Sequence, residues 1–260
     1  GALVAKAFDS AGYSSEKFYR FCAKILAKDG YFLHKYTPSR ALGSSWHPWV
    51  EGKRGQLPIQ EDGTALVIFA LWNHYERFKD LELIRTLYTP LIKKAADFMM
   101  NYRDLETGLP LPSYDLWEER QGILTFTTAA VYGGLMGASH FANCFGETSL
   151  SSEYAEGAQK IKVAMEKYLY LPDKKRFARM IRFHKDGPLE IDSTIDASLY
   201  GLFAFGAYSA DDEKVKSTLD QVFQTLNVNG GIIRYENDLY YRQNDKSNPW
   251  FVCTLWKAQY

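Results

Sequence analysis

Apolar residues recur at helical spacing along most of the chain. Phe18, Phe21, Cys22 and Ile25 follow the i, i+3, i+4, i+7 pattern of a one-faced helix over residues 15–28, and Gly30 ends it. The same spacing predicts further helices at residues 62–75, 127–142, 152–168, 193–208, 209–226 and 249–260. Thr89 as N-cap and Pro90 at the first helical position predict one more, which runs to residue 102.

Strand-like segments are few and short. Residues 31–36 and 176–183 read as strands, and an Asp186-Gly187 turn follows the second one. Neither segment opens the strand–helix alternation that a parallel sheet needs. The chain is therefore predicted to be mostly α, with consecutive helix hairpins that suggest a toroid of paired helices. Periodicity alone permits a generic helical bundle equally well.

Three long irregular segments interrupt the helices, at residues 37–60, 104–125 and 228–248. They contain Trp46, Trp49 and Trp117 together with the densest acids. Loops of about 20 residues in a compact domain are usually functional, so we expect the site there. No repeat, low-complexity tract or linker divides the chain, and residues 1–260 are predicted to form one domain.

Composition excludes some classes of function. Lys and Arg (31) balance Asp and Glu (31) and are interleaved, which argues against a nucleic-acid partner. No apolar run reaches the roughly 18 residues that span a bilayer, so the protein is expected to be soluble, without a membrane partner. Absence of an Asn-x-Ser/Thr site favours the cytoplasm over secretion. Cys22, Cys144 and Cys253 are expected to be buried thiols.

Common motifs for phosphate, metal or nucleophilic chemistry are missing. Gly133, Gly134 and Gly137 lie inside an apolar helical run without a preceding strand, which indicates a close helix crossing and not a nucleotide loop. The five histidines show no zinc-ligand spacing, so we expect no metal and interpret each histidine as a packing or surface residue. No Gly-x-Ser-x-Gly elbow occurs.

Carboxylates stand beside aromatic residues in Ser-Tyr-Asp-Leu-Trp-Glu-Glu-Arg, residues 113–120. A glycosidic oxygen is a poor leaving group, and its cleavage requires a carboxylic acid that is kept protonated near neutral pH. Flanking rings that exclude water provide that condition. The alternative is an acidic helix start, with Asp115 as cap and Glu118 at the third position.

Several segments resemble glycoside hydrolase family 15, the glucoamylases, in that family's order. Tyr-Asp-Leu-Trp-Glu-Glu at 114–119, followed by Phe-Thr at 126–127, resembles its catalytic-acid segment. The other matching segments are Gly-Ser-Ser-Trp-His-Pro-Trp at 43–49, Leu-Pro-Ile-Gln-Glu-Asp-Gly-Thr-Ala-Leu at 57–66, Arg-Tyr-Glu-Asn-Asp at 234–238, and Asn-Pro-Trp-Phe-Val-Cys-Thr-Leu-Trp at 248–256. The resemblance implies an (α/α)6 barrel that hydrolyses α-glucosidic bonds with inversion, without a cofactor.

The resemblance also implies roles for individual residues. Glu118 matches the general acid, Glu119 the acid that binds sugar hydroxyls, and Asp115 a supporting carboxylate at the substrate site. Arg234 matches the arginine that binds the non-reducing glucose, and Trp117 is part of the wall. For Arg234, the alternative is a surface ion pair with Glu236 or Asp238.

The second motif departs from the fungal pattern, because Glu61 stands in place of Arg and Gln56 in place of Trp. Asp62 matches an aspartate of that motif and is expected to orient its loop at the substrate site. Trp46 and Trp49 are either stacking platforms for sugar or anchors of their own loop. The group Asp192, Asp196 and Ser198 resembles another family segment with a supporting role.

The family's general base lies on a loop beyond the Asn-Pro-Trp-Phe motif, and its Trp-x-Arg-Asp segment precedes a helix like the one at Gly1. The chain is therefore expected to be a central portion of the barrel that carries the acid but not the base, inactive by itself. The whole enzyme would act on an α-linked oligo- or polysaccharide. The alternatives are a noncatalytic glucan-binding or scaffold fragment and a sugar phosphorylase. The linkage, whether of starch, maltooligosaccharide, isomaltoside, dextran or trehalose, stays open.

Overall fold

The computed structural model describes residues 1–45, 49–51, 53–185, 187–242 and 247–260, and within them the fold is dominated by helices. Within these ranges no helix combines the length and apolar character needed to cross a membrane. The helices are α1 (Ala2–Ser10), α2 (Glu16–Ile25), α3 (Glu61–Phe78), α4 (Leu81–Leu87), α5 (Lys94–Asn101), α6 (Thr125–Cys144), α7 (Thr148–Tyr168), α8 (Gly201–Ala204), α9 (Glu213–Thr225) and α10 (Phe251–Gln259).

Helix α6 lies at the centre, packed most extensively against α3 on one side and α7 on the other. It is buried on nearly all sides, as its continuous apolar sequence requires. The predicted close crossing is confirmed. A Cβ at Gly134 would lie 2.9 Å from the Ala65 carbonyl oxygen of α3, and one at Gly133 would lie 2.7 Å from the Phe205 carbonyl oxygen. The glycines let the backbones of neighbouring helices touch.

The helix predicted to start at Thr89 begins earlier, so that prediction was wrong. Asp80 caps α4 by accepting a hydrogen bond from the Leu83 amide at 2.9 Å. The helix then runs through a π-helical segment, Tyr88–Lys93, directly into α5. Proline lacks the amide proton and crowds the preceding turn of an α-helix. The wider turn around Pro90 accommodates it within a continuous helix.

A small antiparallel sheet covers the N-terminal end of α6. Its strands, in spatial order, are β3 (Ser113–Tyr114), β4 (Gln121–Leu124), β7 (Met180–Arg182) and β8 (Glu190–Asp192). Strand β4 pairs Ile123 with Ile181 and continues into α6 at Thr125. The remaining strands are two-residue pairs: β1 (Val50–Glu51) with β2 (Arg54–Gly55), β5 (Tyr170–Leu171) with β6 (Arg176–Phe177), and β9 (Asn227–Val228) with β10 (Gly231–Ile232).

Three local predictions were wrong. Residues 31–36 form no strand and make only isolated bridges, Leu33 with Ile59 and Tyr36 with Leu42. The helix expected at residues 193–208 is reduced to a 3-10 turn, Ala197–Tyr200, followed by α8. The 3-10 turn starts only after Asp196, which has an extended backbone and is its N-cap. The Asp196 side chain accepts a hydrogen bond from the Ser198 amide. The segment at 176–183 is divided between β6 and β7.

The three cysteines differ in exposure. Cys22 and Cys253 are buried free thiols, as expected. Cys144 is exposed, contrary to the prediction, because it is the last residue of α6, where the helix leaves the core.

The glycine contact yields a stability prediction. Gly134→Ala should destabilise the fold by about 1–3 kcal/mol, because its methyl group would meet the backbone of α3. Gly63→Ala in α3 is the matched control, since among the described residues no atom outside its own stretch of helix lies within 4 Å of its added Cβ, and it should be neutral or stabilising by up to about 1 kcal/mol. Urea unfolding measures both variants. Equal stability of the two would contradict a backbone contact at Gly134.

Candidate functional site

The acidic segment forms the loop between β3 and β4. This loop excludes the alternative of a helix start, because helix α6 begins only at Thr125. Asp115 holds the loop from inside. Its Oδ1 accepts the backbone amides of Glu119 at 2.7 Å and Arg120 at 3.0 Å. Asp115 is fully buried, which raises its pKa, although those two amides act in the opposite direction. Asp115 was expected to be a supporting carboxylate at the substrate site, and in the structure it supports the loop that carries Glu118 and Glu119.

Glu118 stands at the turn of this loop with a left-handed backbone, φ 64°. A non-glycine residue accepts this conformation only where its surroundings impose it. Its Oε1 lies 2.5 Å from Nε2 of His34. The side chain borders a cavity of about 520 Å³, which Asp62 and the apolar side chains of Phe18, Leu66 and Phe126 also line. Glu118 thus faces a largely apolar space.

Glu119 points to a different set of groups. Its Oε1 lies 2.9 Å from Nη1 of Arg234, and its Oε2 accepts from Arg120 at 3.0 Å and from the Tyr235 hydroxyl at 2.5 Å. Arg234 also donates to both oxygens of Asp238 at 2.7 Å. The two neighbouring glutamates therefore belong to separate environments.

Arg234 and Asp238 form a buried pair. They are 3% and 0% exposed, so the alternative of a surface ion pair is wrong. Burial opposes the charge on each residue, but the bidentate contact prevails: it raises the pKa of Arg234 above its usual value and lowers that of Asp238. The rings of Trp117, Tyr240 and Trp250 lie 4.9 to 5.4 Å from the guanidinium carbon. These rings fix Arg234 in place through cation–π contacts.

Tyr235 lies between the arginine side chains of this network and Glu119. Its ring lies against the guanidinium groups of Arg120 at 4.5 Å, Arg234 at 5.0 Å and Arg179 at 5.3 Å. Burial, the largest cause, raises the pKa of Tyr235 to about 12, so the hydroxyl keeps its proton and donates it to Glu119.

Trp117 contacts Asp196, which belongs to the Asp192, Asp196 and Ser198 group that was expected to have a supporting role. Its Nε1 lies 3.1 Å from both carboxyl oxygens of Asp196. Asp196 is fully buried, which raises its pKa, while Ser198, Arg179 and Trp117 act against that shift. Asp192 pairs with Arg179, which outweighs the effect of burial and lowers the pKa of Asp192.

Asp62 borders the same cavity as Glu118 but is almost completely buried. Burial, followed by the charge of Asp115, raises its pKa to about 7. Its Oδ2 has no hydrogen-bond partner among the described residues. Glu61, where fungal relatives carry arginine, is likewise buried without a described partner for either oxygen, and desolvation raises its pKa well above the usual value.

The other predicted residues are less connected to the site. Trp46 lies outside the described residues. Trp49 is 43% exposed and is not among the described residues that line the cavity. Gln56, in place of the fungal tryptophan, donates to the Tyr114 hydroxyl at 3.2 Å. In the described parts of the chain no group of three or more His, Cys, Asp or Glu residues is placed to hold a metal ion.

Sequence reasoning missed His34 and Tyr235 as members of the site. Tyr235 could have been suspected, since it adjoins Arg234 in a matched motif. His34 had no such signal, because the contact with Glu118 joins residues 84 positions apart.

An acid at the edge of an apolar cavity is one requirement of a glycosidase. A sequence profile of Glycosyl hydrolases family 15 matches residues 46–260, and the chain belongs to that family. It is 30% identical to an uncharacterized glycosyl hydrolase of Methanocaldococcus jannaschii, over 100% of this chain and 38% of that protein. A glucoamylase of Clostridium sp. (strain G0005) is 25% identical, over 91% of this chain and 33% of that protein. The chain thus spans between 33% and 38% of the length of these relatives.

Solved structures show the same fold. A glycosidase variant in complex with glucose matches with a TM-score of 0.75 and 20% identity, over 98% of this chain and 66% of that one. A bacterial glucoamylase complexed with acarbose matches with a TM-score of 0.68 and 22% identity, over 96% of this chain and 36% of that one. The expected glucoamylase-like (α/α)6 fold is therefore confirmed.

The buried Asp62 predicts a change of stability with pH. The folded chain binds this proton more tightly than the unfolded chain, so the free energy of unfolding should fall as pH rises from 3.8 to about 7. Asp62→Asn removes that contribution. The free energy of unfolding of the variant should therefore fall less steeply with rising pH than that of the wild type, and the two slopes should differ by up to about 1.4 kcal/mol per pH unit. Urea unfolding across this range, with the exposed Asp29→Asn as control, measures the difference. Parallel curves for wild type and Asp62→Asn would contradict it.

Proposed function

We propose that the full-length protein is an inverting α-glucosidase of the glucoamylase type, which releases glucose from the non-reducing end of an α-linked saccharide. The observation that carries this proposal is the placement of Glu118 at an apolar cavity, with Glu119 beside it in an arginine network. Glucose and acarbose complexes among the structural neighbours support a sugar as substrate.

Glu118 is proposed as the general acid. It would pass its proton to the glycosidic oxygen while the bond from that oxygen to the anomeric carbon breaks. The apolar walls formed by Phe18, Leu66 and Phe126 would exclude water from the charge that develops during the reaction. Asp62 stands in the first turn of α3 and not in a loop, and it is proposed to support the cavity wall there, where burial favours its neutral form.

Glu119 and Arg234 are proposed to hold the terminal glucose by charge-assisted hydrogen bonds. Asp238 and the surrounding rings of Trp117, Tyr240 and Trp250 keep the guanidinium in one orientation, so little entropy is lost when a sugar binds. Trp117 would form part of the wall. For Trp46 and Trp49 the two alternatives both stand: platforms for further sugar units, or anchors of their own loop.

The general base is proposed to come from outside residues 1–260. Inversion needs a second carboxylate about 6.5 to 9.5 Å from the acid, with room for a water molecule. The carboxyl groups in the loop of Glu118 support this proposal, since Asp115 accepts backbone amides and Glu119 pairs with Arg234. The 260-residue chain alone is accordingly proposed to be inactive.

Replacement of the acid tests the assignment. Glu118→Gln in the full-length protein should lower kcat for an α-linked disaccharide by about 10²- to 10⁴-fold and change binding by less than about tenfold. The amide keeps the shape but cannot supply the proton. Glu156→Gln, on the exposed face of α7, is the matched control and should keep full activity. Comparable kcat for Glu118→Gln and wild type would remove Glu118 from the mechanism.

The stereochemistry tests the mechanism independently. Proton NMR of the first product should show β-glucose released from an α-linked substrate, because water attacks the face opposite the leaving group. Initial α-glucose would mean retention and would contradict an inverting enzyme. Turnover that requires phosphate would indicate a sugar phosphorylase instead.

A further inference from the structure

The contact between His34 and Glu118 has no role in the mechanism above, although it touches the proposed acid directly. His34 lies in the segment after α2, far along the chain from the β3–β4 loop. A bridge between Leu33 and Ile59 holds this segment, and the Leu33 amide donates to the Tyr36 hydroxyl at 2.8 Å. The histidine is therefore presented from a fixed backbone.

Within the part of the chain that the structure describes, Oε1 is the oxygen of Glu118 that accepts a hydrogen bond. Among the described residues, His34 is the side chain that hydrogen-bonds the Glu118 carboxyl, through Oε1. The side chain of His34 is 10% exposed and that of Glu118 is 30% exposed. The Ser45 hydroxyl lies 3.4 Å from the other ring nitrogen, Nδ1. If that hydroxyl donates to Nδ1, the ring proton lies on Nε2 and points at Glu118.

We propose that His34 is a positioning residue for the acid, an inference that rests on the proposed function. His34 Nε2–H holds Oε1 of Glu118, so that the transferable proton resides on Oε2. The carboxyl would otherwise rotate freely at the turn of its loop. A misplacement of about 1 Å at a reacting group can cost about 10²-fold in rate. The left-handed backbone of Glu118 sets the direction of the side chain, and His34 sets its rotation.

Two substitutions separate the hydrogen bond from the rest of the histidine. In His34→Gln the amide nitrogen reaches about as far as Nε2 and can still donate to Glu118. In His34→Asn the shorter amide reaches only to the position of Nδ1, near Ser45. The two variants are matched in polarity and differ in whether they reach the acid.

Two substrates distinguish positioning of the acid from a general defect. One is the disaccharide that the full-length protein cleaves fastest among maltose, isomaltose and trehalose, whose leaving group needs a proton. The other is α-glucosyl fluoride, because fluoride departs with little protonation. The ratio of the two kcat values is measured on the same preparation and is independent of the fraction of folded protein.

We expect His34→Asn to lower kcat for the disaccharide by about 10- to 100-fold at similar KM, and to change kcat for the fluoride by less than about threefold. His34→Gln should recover most of the loss. An unchanged ratio in His34→Asn, or a ratio that His34→Gln fails to restore, would overturn the role of His34.

Glu118→Gln in the same two assays tests the underlying function separately. If Glu118→Gln selectively loses the disaccharide and His34→Asn does not, the role of His34 is wrong and the acid stands. If Glu118→Gln retains both activities, the proposed function itself fails.

Discussion

The site depends on one buried carboxylate, that of Asp115. By accepting the amides of Glu119 and Arg120, it closes the β3–β4 loop into a tight turn. Glu118 at that turn takes a left-handed backbone, and the two glutamates leave the loop toward different partners. A buried carboxylate without these donors would be costly, so the loop amides and Asp115 stabilise each other. The separation of two adjacent acids follows from this contact.

A second constraint is charge balance around Glu119. Three arginines, Arg120, Arg179 and Arg234, lie around the ring of Tyr235, and buried carboxylates face them. Each charge in this network has an opposite partner at short range, as buried charges require. The network joins the residue before β7, the β3–β4 loop and the segment after β10, parts of the chain that helices alone would leave apart.

The sequence predicted the fold class correctly, and it located most of the residues that meet in the candidate site, but not the contacts between them. Apolar periodicity located most helices, and the glycines of α6 were correctly interpreted as a crossing because no strand precedes them. Pro90 misled, since a proline at a helix start and one inside a π-turn look alike in sequence. Residues 193–196 misled because Asp196 caps the 3-10 turn and forms an isolated bridge with Tyr235, a contact between positions far apart in the sequence. The contact of His34 with Glu118 depends on the tertiary fold and leaves no local pattern.

Helix α3 links the stability of the core to the geometry of the site. Asp62 stands in its first turn and lines the cavity, while Ala65, one turn later, meets Gly134 of α6 at the backbone. Helix α6 in turn continues from β4, which ends the loop that carries Glu118. Because interiors are closely packed, a shift of α3 away from α6 would move Asp62 relative to Glu118. The glycine crossing therefore fixes the spacing of two helices that both contribute side chains to the cavity, Leu66 from α3 and Phe126 from α6.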